Sequence, residues 1–445
     1  MTSDAPGECF VHITLPGSTE PVTAGRFALS VDRRGVPEGR FVYGRSYLER
    51  PNAVALDPVE LKLSPRTYAT AALNGVFGAL RDASPDFWGR RIIQRHLGKA
   101  QPGEMEYLLY SPDDRAGALG FGLNQIPPAP KRSFNQTLEL ARVQEIADII
   151  VADDDRQAGD QPAQHHDAAA ADHDHHADRD QVEKLMVIGT SMGGARPKAV
   201  VEDEAGLWIA KFNRPDDAWN SARVEHAMLV LARACGLTTA ESRVVDVAGR
   251  DVLLVKRFDR EKAEGGYLRA RMISALTLLR TEDTYRSRDR WSYVLLAEEL
   301  RRVSADPGAD AGELFRRMAF NALISNIDDH PRNHALLAKN ADWRLSPAYD
   351  LTPAVPVSLE RRDLAMGCGD AGRFANAENL LSQSARFLLQ AAQAAAMLDA
   401  MEEQVRGTWY ATARSAGVSE RDCERIASAF SYPGFRQTSD LKGNA

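Results

Sequence analysis

Three polar residues in the C-terminal half of the chain have the types and the spacing that phosphoryl transfer requires. Asp328 is followed by Asn333 after four intervening residues, and Asp350 comes seventeen positions after Asn333. In ATP-dependent phosphoryl transfer, one carboxylate orients the attacking hydroxyl, while an amide oxygen and a second carboxylate hold magnesium against the phosphates. The pattern predicts Asp328 as the catalytic residue and Asn333 and Asp350 as magnesium ligands.

The sequence before Asp328 indicates what must position this cluster. Residues 321–327 are mostly apolar, so the polar cluster comes at the end of a buried element. Apolar residues recur there at intervals of three and four, which is the pattern of one helix face. The predicted stripe consists of Phe315, Met318, Ala319, Ala322, Leu323 and Ile327.

A glycine-rich loop lies about 140 residues earlier in the chain. Gly189, Gly193 and Gly194 stand between two strand-like runs, and a turn then leads into a third run, residues 207–212. Paired glycines allow backbone N–H groups to close on phosphate oxygens. The loop is not a Walker A motif, because no Gly-Lys-Ser/Thr follows and the chain leaves it as a strand. A glycine-rich hairpin tip has the same pattern, so both interpretations stay open.

Lys211 and Glu225 are candidates for a nucleotide-binding ion pair. Lys211 lies at the end of the third strand-like run, where kinase N-lobes carry the lysine that contacts the α- and β-phosphates. Glu225 borders the apolar stripe of the following helix, which Gly236 ends. Two further strands, residues 243–247 and 251–259, precede a region that is predicted to be helical almost to the end.

Composition permits a soluble, multidomain protein. The 445 residues are enough for two or three domains, and the 44% hydrophobic and 26% charged content is ordinary. No apolar run approaches a membrane span, and the N-terminal residues do not resemble a secretory signal. The four cysteines form no CxxC motif, so we expect reduced thiols in a cytoplasmic protein without a membrane partner.

The net charge of −7 is concentrated in one segment. Residues 151–181 hold nine Asp and two Arg, whereas 53 basic residues balance 53 acidic ones elsewhere, which argues against strong non-specific binding of nucleic acid. The segment has no aromatic residue and five of the ten histidines, and it is predicted to be a disordered linker. Its His and Asp residues could also bind zinc or nickel, which is the alternative interpretation.

The predicted fold class is α+β, with a β-rich and helical N-terminal domain before a bilobed, protein-kinase-like domain. Alternating apolar and polar residues between 10 and 64 predict a small antiparallel sheet, and the pattern becomes helical from Ala83. The predicted segments are an N-terminal domain, residues 1–152; the acidic insert, 153–181; a kinase N-lobe, 182–259; and an all-helical C-terminal lobe, 260–436.

In this order, the motifs resemble those of the HipA serine/threonine kinase toxins of bacterial type II toxin–antitoxin systems. The similarity extends over roughly residues 22–400. Two features depart from the family pattern: the acidic insert is long, and Asp329 stands where a small residue is commoner. The stretches that carry the resemblance are residues 85–91, 113–119, 191–198, 208–211, 254–260, 326–334 and 345–351.

The resemblance implies roles for individual residues. It matches Asp328 to the catalytic residue, Asn333 and Asp350 to the Mg²⁺ ligands, and Ser191 to a serine whose autophosphorylation silences the enzyme. Thr190 is the adjacent competitor for that phosphate. The ATP-binding positions that it implies are Gly193, Gly194, Ala195, Arg196, Pro197, Lys198, Lys211, Lys256, Arg257, Phe258, His330, Arg332 and Tyr349.

The family also implies partners and a reaction. Its kinases transfer the γ-phosphate of ATP to proteins, notably aminoacyl-tRNA synthetases, and a small helix-turn-helix antitoxin of the HipB type, which binds operator DNA, holds them. Two alternatives remain open. One is a small-molecule phosphotransferase on a kinase-like fold. The other is a catalytically idle antitoxin or DNA co-repressor partner, against which the complete Lys211, Asp328, Asn333 and Asp350 set argues.

Overall fold

The computed structural model describes residues 7–131, 134–136, 139–145, 148, 196–358, 360–430 and 432–436. These residues form two compact units. The described residues of the first unit lie within the ranges 1–56, 63–216 and 245–269, and those of the second within 57–62, 217–244 and 270–445. The predicted insert and the glycines of the predicted phosphate loop lie outside the described residues.

The first unit begins with an antiparallel five-stranded sheet in the order β4-β3-β2-β1-β5. Alternation places Val11, Ile13, Phe27 and Phe41 in its core, so the sheet predicted for this region is confirmed. Two of its five strands, the fourth and the fifth, come from beyond the predicted range. The strands are β1 Glu8–Thr14, β2 Pro21–Val31, β3 Pro37–Tyr43, β4 Tyr68–Thr70 and β5 Leu119–Gly122.

Helices follow Ala83, where the pattern of the sequence becomes helical, and two short helices precede it. The longest ends at Gly98, whose φ of 60° is the left-handed conformation that glycine adopts at helix ends without a Cβ penalty. Glu106 closes the first turn of another helix by accepting a hydrogen bond from the Gly103 N–H. The helices are α1 Arg45–Leu48, α2 Gly78–Asp82, α3 Phe87–Leu97 and α4 Glu104–Tyr110, with a 3₁₀ turn at Ala72–Gly75.

A second sheet has the order β6-β7-β8-β10-β9. One face buries Trp208, Ala210 and Phe212 against Trp88 and Ile92. The three strands predicted at residues 207–212, 243–247 and 251–259 are confirmed, although the last ends at Lys256, three residues before its predicted end. The strands are β6 Asn135–Gln136, β7 Lys198–Asp203, β8 Gly206–Phe212, β9 Ser242–Val247 and β10 Arg250–Lys256, and a hairpin of β11 Arg260–Ala263 and β12 Gly266–Arg269 follows.

The second unit is mainly helical. Asn220 and Asp306 begin two of its helices by accepting hydrogen bonds from backbone N–H groups of the first turn. The helices are α5 Ser221–Ala234, α6 Ala275–Leu279, α7 Tyr293–Val303, α8 Pro307–Leu323, α9 Ala377–Ser382, α10 Ala391–Ser415 and α11 Glu420–Phe430. Short 3₁₀ turns lie at Tyr285–Arg290, Pro331–Asn333, Ser384–Phe387 and Pro433–Arg436.

Two details of the predicted C-terminal lobe are wrong. It is not all-helical, because β13 Arg271–Ser274, β14 Ala335–Ala338 and β15 Arg344–Leu345 form a three-stranded sheet. Short apolar runs such as β14 cannot be assigned to helix or strand by periodicity alone. The stripe before Asp328 also ends early, because α8 stops at Leu323 and Ile327 is 39% exposed.

No helix within the described ranges is both long and apolar enough to cross a membrane.

Candidate functional site

Asp328 lies in a tight turn that follows helix α8. The helix ends at Leu323, and Ser325 adopts a left-handed φ of 56° that turns the chain sharply. The Ser325 hydroxyl donates a hydrogen bond to the Ala429 carbonyl at 2.7 Å, and Arg362 donates to Ser325 at 2.5 Å. These buried contacts hold the start of the loop against the end of the helical unit.

Asp329 anchors the same loop from inside the unit. Its side chain is 1% exposed and accepts hydrogen bonds from His334 Nε2, at 2.7 Å, and from the Tyr293 hydroxyl. Burial opposes ionisation of this carboxyl, but His334 and Tyr293 outweigh it and lower its pKa. Asn321 extends the network by donating to Tyr293. Asp329 is therefore an ionised internal anchor, a role that sequence reasoning did not find.

The structure brings the predicted metal ligands into the same region. Asn333 closes the 3₁₀ turn Pro331–Asn333 and is buried. The Tyr349 hydroxyl donates to the Arg332 carbonyl at 2.7 Å, which ties the segment before Asp350 to the loop that carries Asp328. Asp350 has a φ of 59°, so the backbone at this position is strained for a residue other than glycine.

Asp328 lies among other carboxylates that influence its ionisation. Loss of hydration raises the pKa of the Asp328 carboxyl; His330 opposes the shift, and the negative charges of Asp350, Asp329 and Asp283 add to it. A divalent cation among these groups would relieve the repulsion, and amide and carboxylate oxygens are the ligands that Mg²⁺ prefers. Asn333 and Asp350 therefore fit a magnesium ion whose remaining positions phosphate and water would fill.

His330 and Arg332 surround the cluster and contact the segment before helix α7. The His330 ring lies 6.4 Å from the Trp291 ring, centroid to centroid, in an edge-to-face arrangement. Its Nδ1 is buried and has no hydrogen-bond partner in the described parts of the chain. Arg332 Nε pairs with Asp283 at 2.7 Å.

In the first unit, two predicted nucleotide-binding lysines are cross-strand neighbours. Lys198 of β7 stands directly opposite Lys211 of β8, so both side chains lie on one face of the sheet. It is the face opposite Trp208, Ala210 and Phe212. Two ammonium groups on one face of the sheet are of the chemical type that contacts phosphate.

The predicted phosphate loop is described only at its end. Gly193, Gly194, Ala195 and Ser191 lie outside the described residues. Arg196 and Pro197 lead directly into β7, and the Pro197 carbonyl accepts a hydrogen bond from the Phe212 N–H at 3.3 Å. The loop thus enters the sheet beside the strand that carries Lys211.

The segment Lys256 to Phe258 ends β10 and begins the connection to β11. Lys256 Nζ lies 5.8 Å from the centre of the Trp208 ring. The Arg257 side chain is fully buried and donates to Asp259 and to the carbonyls of Asp114 and Arg115. These contacts occupy its guanidinium, so a nucleotide contact at Arg257 would come from its main chain.

This arginine belongs to a buried ionic cluster that sequence reasoning also missed. Asp259 accepts from Arg257, from Arg260 and from the Gly117 N–H. Arg260 in turn donates to the carbonyls of Gly117 and Arg115. The sequence signal for this cluster was that two motifs, residues 113–119 and 254–260, both contain acidic and basic residues.

Glu225 occupies a buried position on helix α5, where it is 6% exposed. Lys211 belongs to the first unit and Glu225 to the second, so their pairing stays a prediction. Among the described residues there is no group of three or more His, Cys, Asp and Glu side chains arranged to hold a metal ion.

Two family models match different parts of the chain. The family model of the HipA-like C-terminal domain matches residues 190–409, and that of the HipA N-terminal domain matches residues 22–122. Putative kinase Y4mE of Sinorhizobium fredii is 32% identical over 164 residues, which are 36% of this chain and 38% of that protein. A protein of Haemophilus influenzae named "Putative kinase" is 26% identical over 188 residues, which are 38% of this chain and 54% of that protein. The chain thus spans about half or less of these curated relatives.

A solved structure of the Shewanella oneidensis MR-1 toxin–antitoxin system, HipA and HipB with operator DNA, is similar to most of the chain. The TM-score is 0.65, and the alignment covers 95% of both chains at 17% sequence identity. This likeness establishes a HipA-like kinase fold with a β-rich N-terminal region.

Proposed function

Because this chain belongs to the HipA family, we propose that it is an ATP- and Mg²⁺-dependent serine/threonine protein kinase and the toxin of a type II toxin–antitoxin system. The observation that carries the proposal is the catalytic loop. It presents Asp328 to solvent beside Asp350, while Asp329 and Tyr349 hold the backbone in place. A loop with only a structural role would not need to hold several carboxylates close to one another.

In the proposed reaction, Asp328 accepts a hydrogen bond from the substrate hydroxyl and orients its oxygen toward the γ-phosphorus of ATP. The oxygen–phosphorus bond forms as the bond from the γ-phosphorus to the bridging oxygen breaks, and ADP leaves with that electron pair. The hydroxyl proton passes to Asp328. Magnesium, held by Asn333 and Asp350, would neutralise charge on the phosphates.

We assign the phosphates of ATP to the first unit's lysines and to the glycine loop. Lys198 and Lys211 supply adjacent positive charges, and Glu225 is the proposed partner that orients Lys211. Backbone N–H groups between Gly193 and Pro197 would close on the phosphates. The main chain from Lys256 to Phe258 would contact adenine, and His330 and Arg332 would complete the nucleotide site.

The proposed partners are a HipB-like helix-turn-helix antitoxin, with operator DNA bound through it, and a protein substrate of the translation apparatus such as an aminoacyl-tRNA synthetase. The similar Shewanella structure, which contains HipA, HipB and operator DNA, supports the first partner. The family resemblance supports the second. We also propose a cytoplasmic location, and we propose the bounds of the four segments as they were predicted from the sequence, without an all-helical C-terminal lobe.

One experiment separates this proposal from its two alternatives. Purified protein is incubated with γ-labelled ATP and magnesium, in parallel with a protein pool and with a metabolite pool. Label on serine or threonine of protein is expected. Label only on metabolites would identify a small-molecule phosphotransferase, and no transfer to either pool would indicate a catalytically idle partner.

A further inference from the structure

The segment that connects helices α6 and α7 contacts the loop that carries Asp328 at two points. The carboxylate of Asp283 accepts a hydrogen bond from Arg332 Nε at 2.7 Å, and the two side chains form an ion pair. The ring of Trp291 lies 6.4 Å from that of His330, centroid to centroid. All four residues belong to the second unit. Sequence reasoning found neither Asp283 nor Trp291, and the reaction proposed above gives them no role.

The position of Asp283 is fixed from within this segment. The Trp291 side chain is almost fully buried, and its indole N–H donates a hydrogen bond to the Glu282 carbonyl at 3.1 Å. The same ring contacts His330, so the residue before Asp283 is attached to a side chain that packs on the loop. The carboxylate of Asp283 is therefore held beside Arg332 by its neighbours as well as by the ion pair.

The guanidinium of Arg332 is engaged on one side only. Asp283 accepts the Nε–H, whereas Nη1 and Nη2 have no hydrogen-bond partner in the described part of the chain. Neither terminal nitrogen is buried there without a partner, so both reach solvent. Arginine carries its N–H donors in a rigid planar fork, so fixing Nε also sets the direction of the terminal nitrogens.

The backbone of Arg332 is held as well. It lies in the 3₁₀ turn Pro331–Asn333, and its carbonyl accepts a hydrogen bond from the Tyr349 hydroxyl at 2.7 Å. An arginine that is fixed at its backbone and at Nε loses little further conformational freedom when it binds an anion. Next to Asn333, a proposed magnesium ligand, such a fork suits the oxygens of a phosphate group.

We propose that Asp283 is a positioning residue for ATP, which holds Arg332 by Nε so that its terminal nitrogens face the β- or γ-phosphate. The inference rests on the proposed kinase function and gives Asp283 no contact with the nucleotide. The opposite arrangement is an ion pair that keeps Arg332 away from ATP. A carboxylate with that role would occupy the terminal nitrogens, which here remain open.

Equilibrium binding of nucleotides tests the role of Asp283 without relying on catalysis. A fluorescent ATP analogue is bound in the presence of magnesium and displaced by unlabelled ATP or AMP. Asp283→Ala should weaken ATP binding about tenfold, because Arg332 loses its charged hydrogen-bond partner. AMP lacks the β- and γ-phosphates, so its affinity should not change. Loss of a negative charge would by itself strengthen the binding of anionic ATP, so the expected effect has the opposite sign.

Asp289→Ala is the matched control. Asp289 is an exposed carboxylate of the same segment, and its substitution removes the same charge without removing a partner of Arg332. This variant should not weaken ATP binding. Asp283→Asn keeps an oxygen that can accept the Nε–H, so it should retain part of the affinity. Both variants of Asp283 should keep the wild-type melting temperature, because the ion pair is partly exposed.

A double-mutant cycle shows whether Asp283 acts through Arg332. Arg332→Gln should weaken ATP binding, and adding Asp283→Ala to it should cause no further loss, because the group that Asp283 positions is already absent. Unchanged or tighter ATP binding in Asp283→Ala, an equal loss for AMP, or additive losses in the double variant would overturn the proposal. Failure of the wild-type protein to bind ATP would instead refute the proposed kinase function.

Discussion

At the scale of single residues, two adjacent carboxylates show how environment assigns different roles. Asp328 reaches solvent, and loss of hydration with the repulsion of nearby carboxylates raises its pKa. Asp329 is buried, and His334 and Tyr293 overcome the cost of burial and lower its pKa. Two neighbouring carboxyl groups whose pKa values shift in opposite directions can have different roles. Asp328 can then act on the substrate, while Asp329 holds the loop.

The first prediction concerns the reacting groups. Asp328→Asn removes the group that orients the hydroxyl and accepts its proton, so phosphoryl transfer should fall by roughly 10²–10⁴-fold. Asp350→Ala should act at least as strongly, because it removes a magnesium ligand. Both variants should keep the wild-type melting temperature, and Asp342→Asn, an exposed acidic residue of the same unit, is the control. Wild-type rates in Asp328→Asn would remove it from the mechanism.

A second prediction distinguishes the structural role of Asp329 from the catalytic role proposed for Asp328. Asp329→Asn leaves the buried His334 without its carboxylate, so the free energy of unfolding should fall by about 1–3 kcal/mol. Activity should fall with it, because the loop that carries Asp328 loses its internal support. Thermal and urea denaturation check the stability change. If Asp329→Asn unfolds at the same temperature as Asp328→Asn, the anchoring role is wrong.

The third prediction concerns Ser191, which lies two positions before Gly193 in the proposed phosphate loop. A phosphate there adds a charge of about −1.5 to −2 where the γ-phosphate of ATP would lie. Mass spectrometry after incubation with ATP and magnesium should find the modification on Ser191, with Thr190 as the competitor to distinguish. Ser191→Asp should bind ATP far more weakly than wild type, whereas Ser191→Ala should bind it normally. Tight binding by Ser191→Asp would rule out this switch.

At the scale of elements, buried charged residues join two stretches of the first unit that are far apart in the sequence. The loop between α4 and β5 supplies carbonyl groups and the Gly117 N–H, and the connection after β10 supplies Arg257, Asp259 and Arg260. Arg269 of β12 adds a two-point contact to Asp113, at 3.0 and 2.6 Å. The position of the proposed adenine-binding segment therefore depends on the N-terminal region.

The fourth prediction tests this dependence. Asp259→Asn leaves Arg257 and Arg260 buried without a counter-charge, which should cost about 3–5 kcal/mol. Asp216→Asn, which breaks an exposed ion pair with Arg214 in the same unit, should cost less than about 1 kcal/mol. Nearby guanidinium groups lower the pKa of Asp259, so its stabilisation is present above the unfolded pKa and is lost as pH falls. Equal costs in the two variants would contradict the structural role of the cluster.

Sequence patterns predict those elements that are specified by residues close together in the sequence. The Asp328-x4-Asn333 spacing, the α5 stripe and the strand that carries Lys211 depend on neighbouring residues, and the structure has the turn, the helix and the strand there. The pairing of β13 with β14 joins Ser274 to Ala335, some sixty positions apart, and no local pattern specifies it. The buried charge of Asp329 was missed because its burial depends on contacts with distant residues such as Tyr293, although its other partner, His334, lies only five positions away.

At the scale of the whole molecule, charge is unevenly distributed along the chain. Residues 151–181 carry the entire net charge of −7, and the remainder is neutral. Any long-range field of this protein would come from the insert.

The last prediction concerns that insert. Residues 156–178 contain almost no side chain that could contribute to a hydrophobic core, so deleting them should change the free energy of unfolding by no more than about 0.5 kcal/mol. Phosphotransfer should also be retained, because the predicted catalytic residues lie elsewhere. A Gly/Ser segment of equal length in its place controls for spacing, and zinc titration of wild type tests the alternative that His165, His166, His173, His175 and His176 bind metal. A large fall in melting temperature on deletion, or activity that requires zinc, would show that the insert is a structural or metal-binding element.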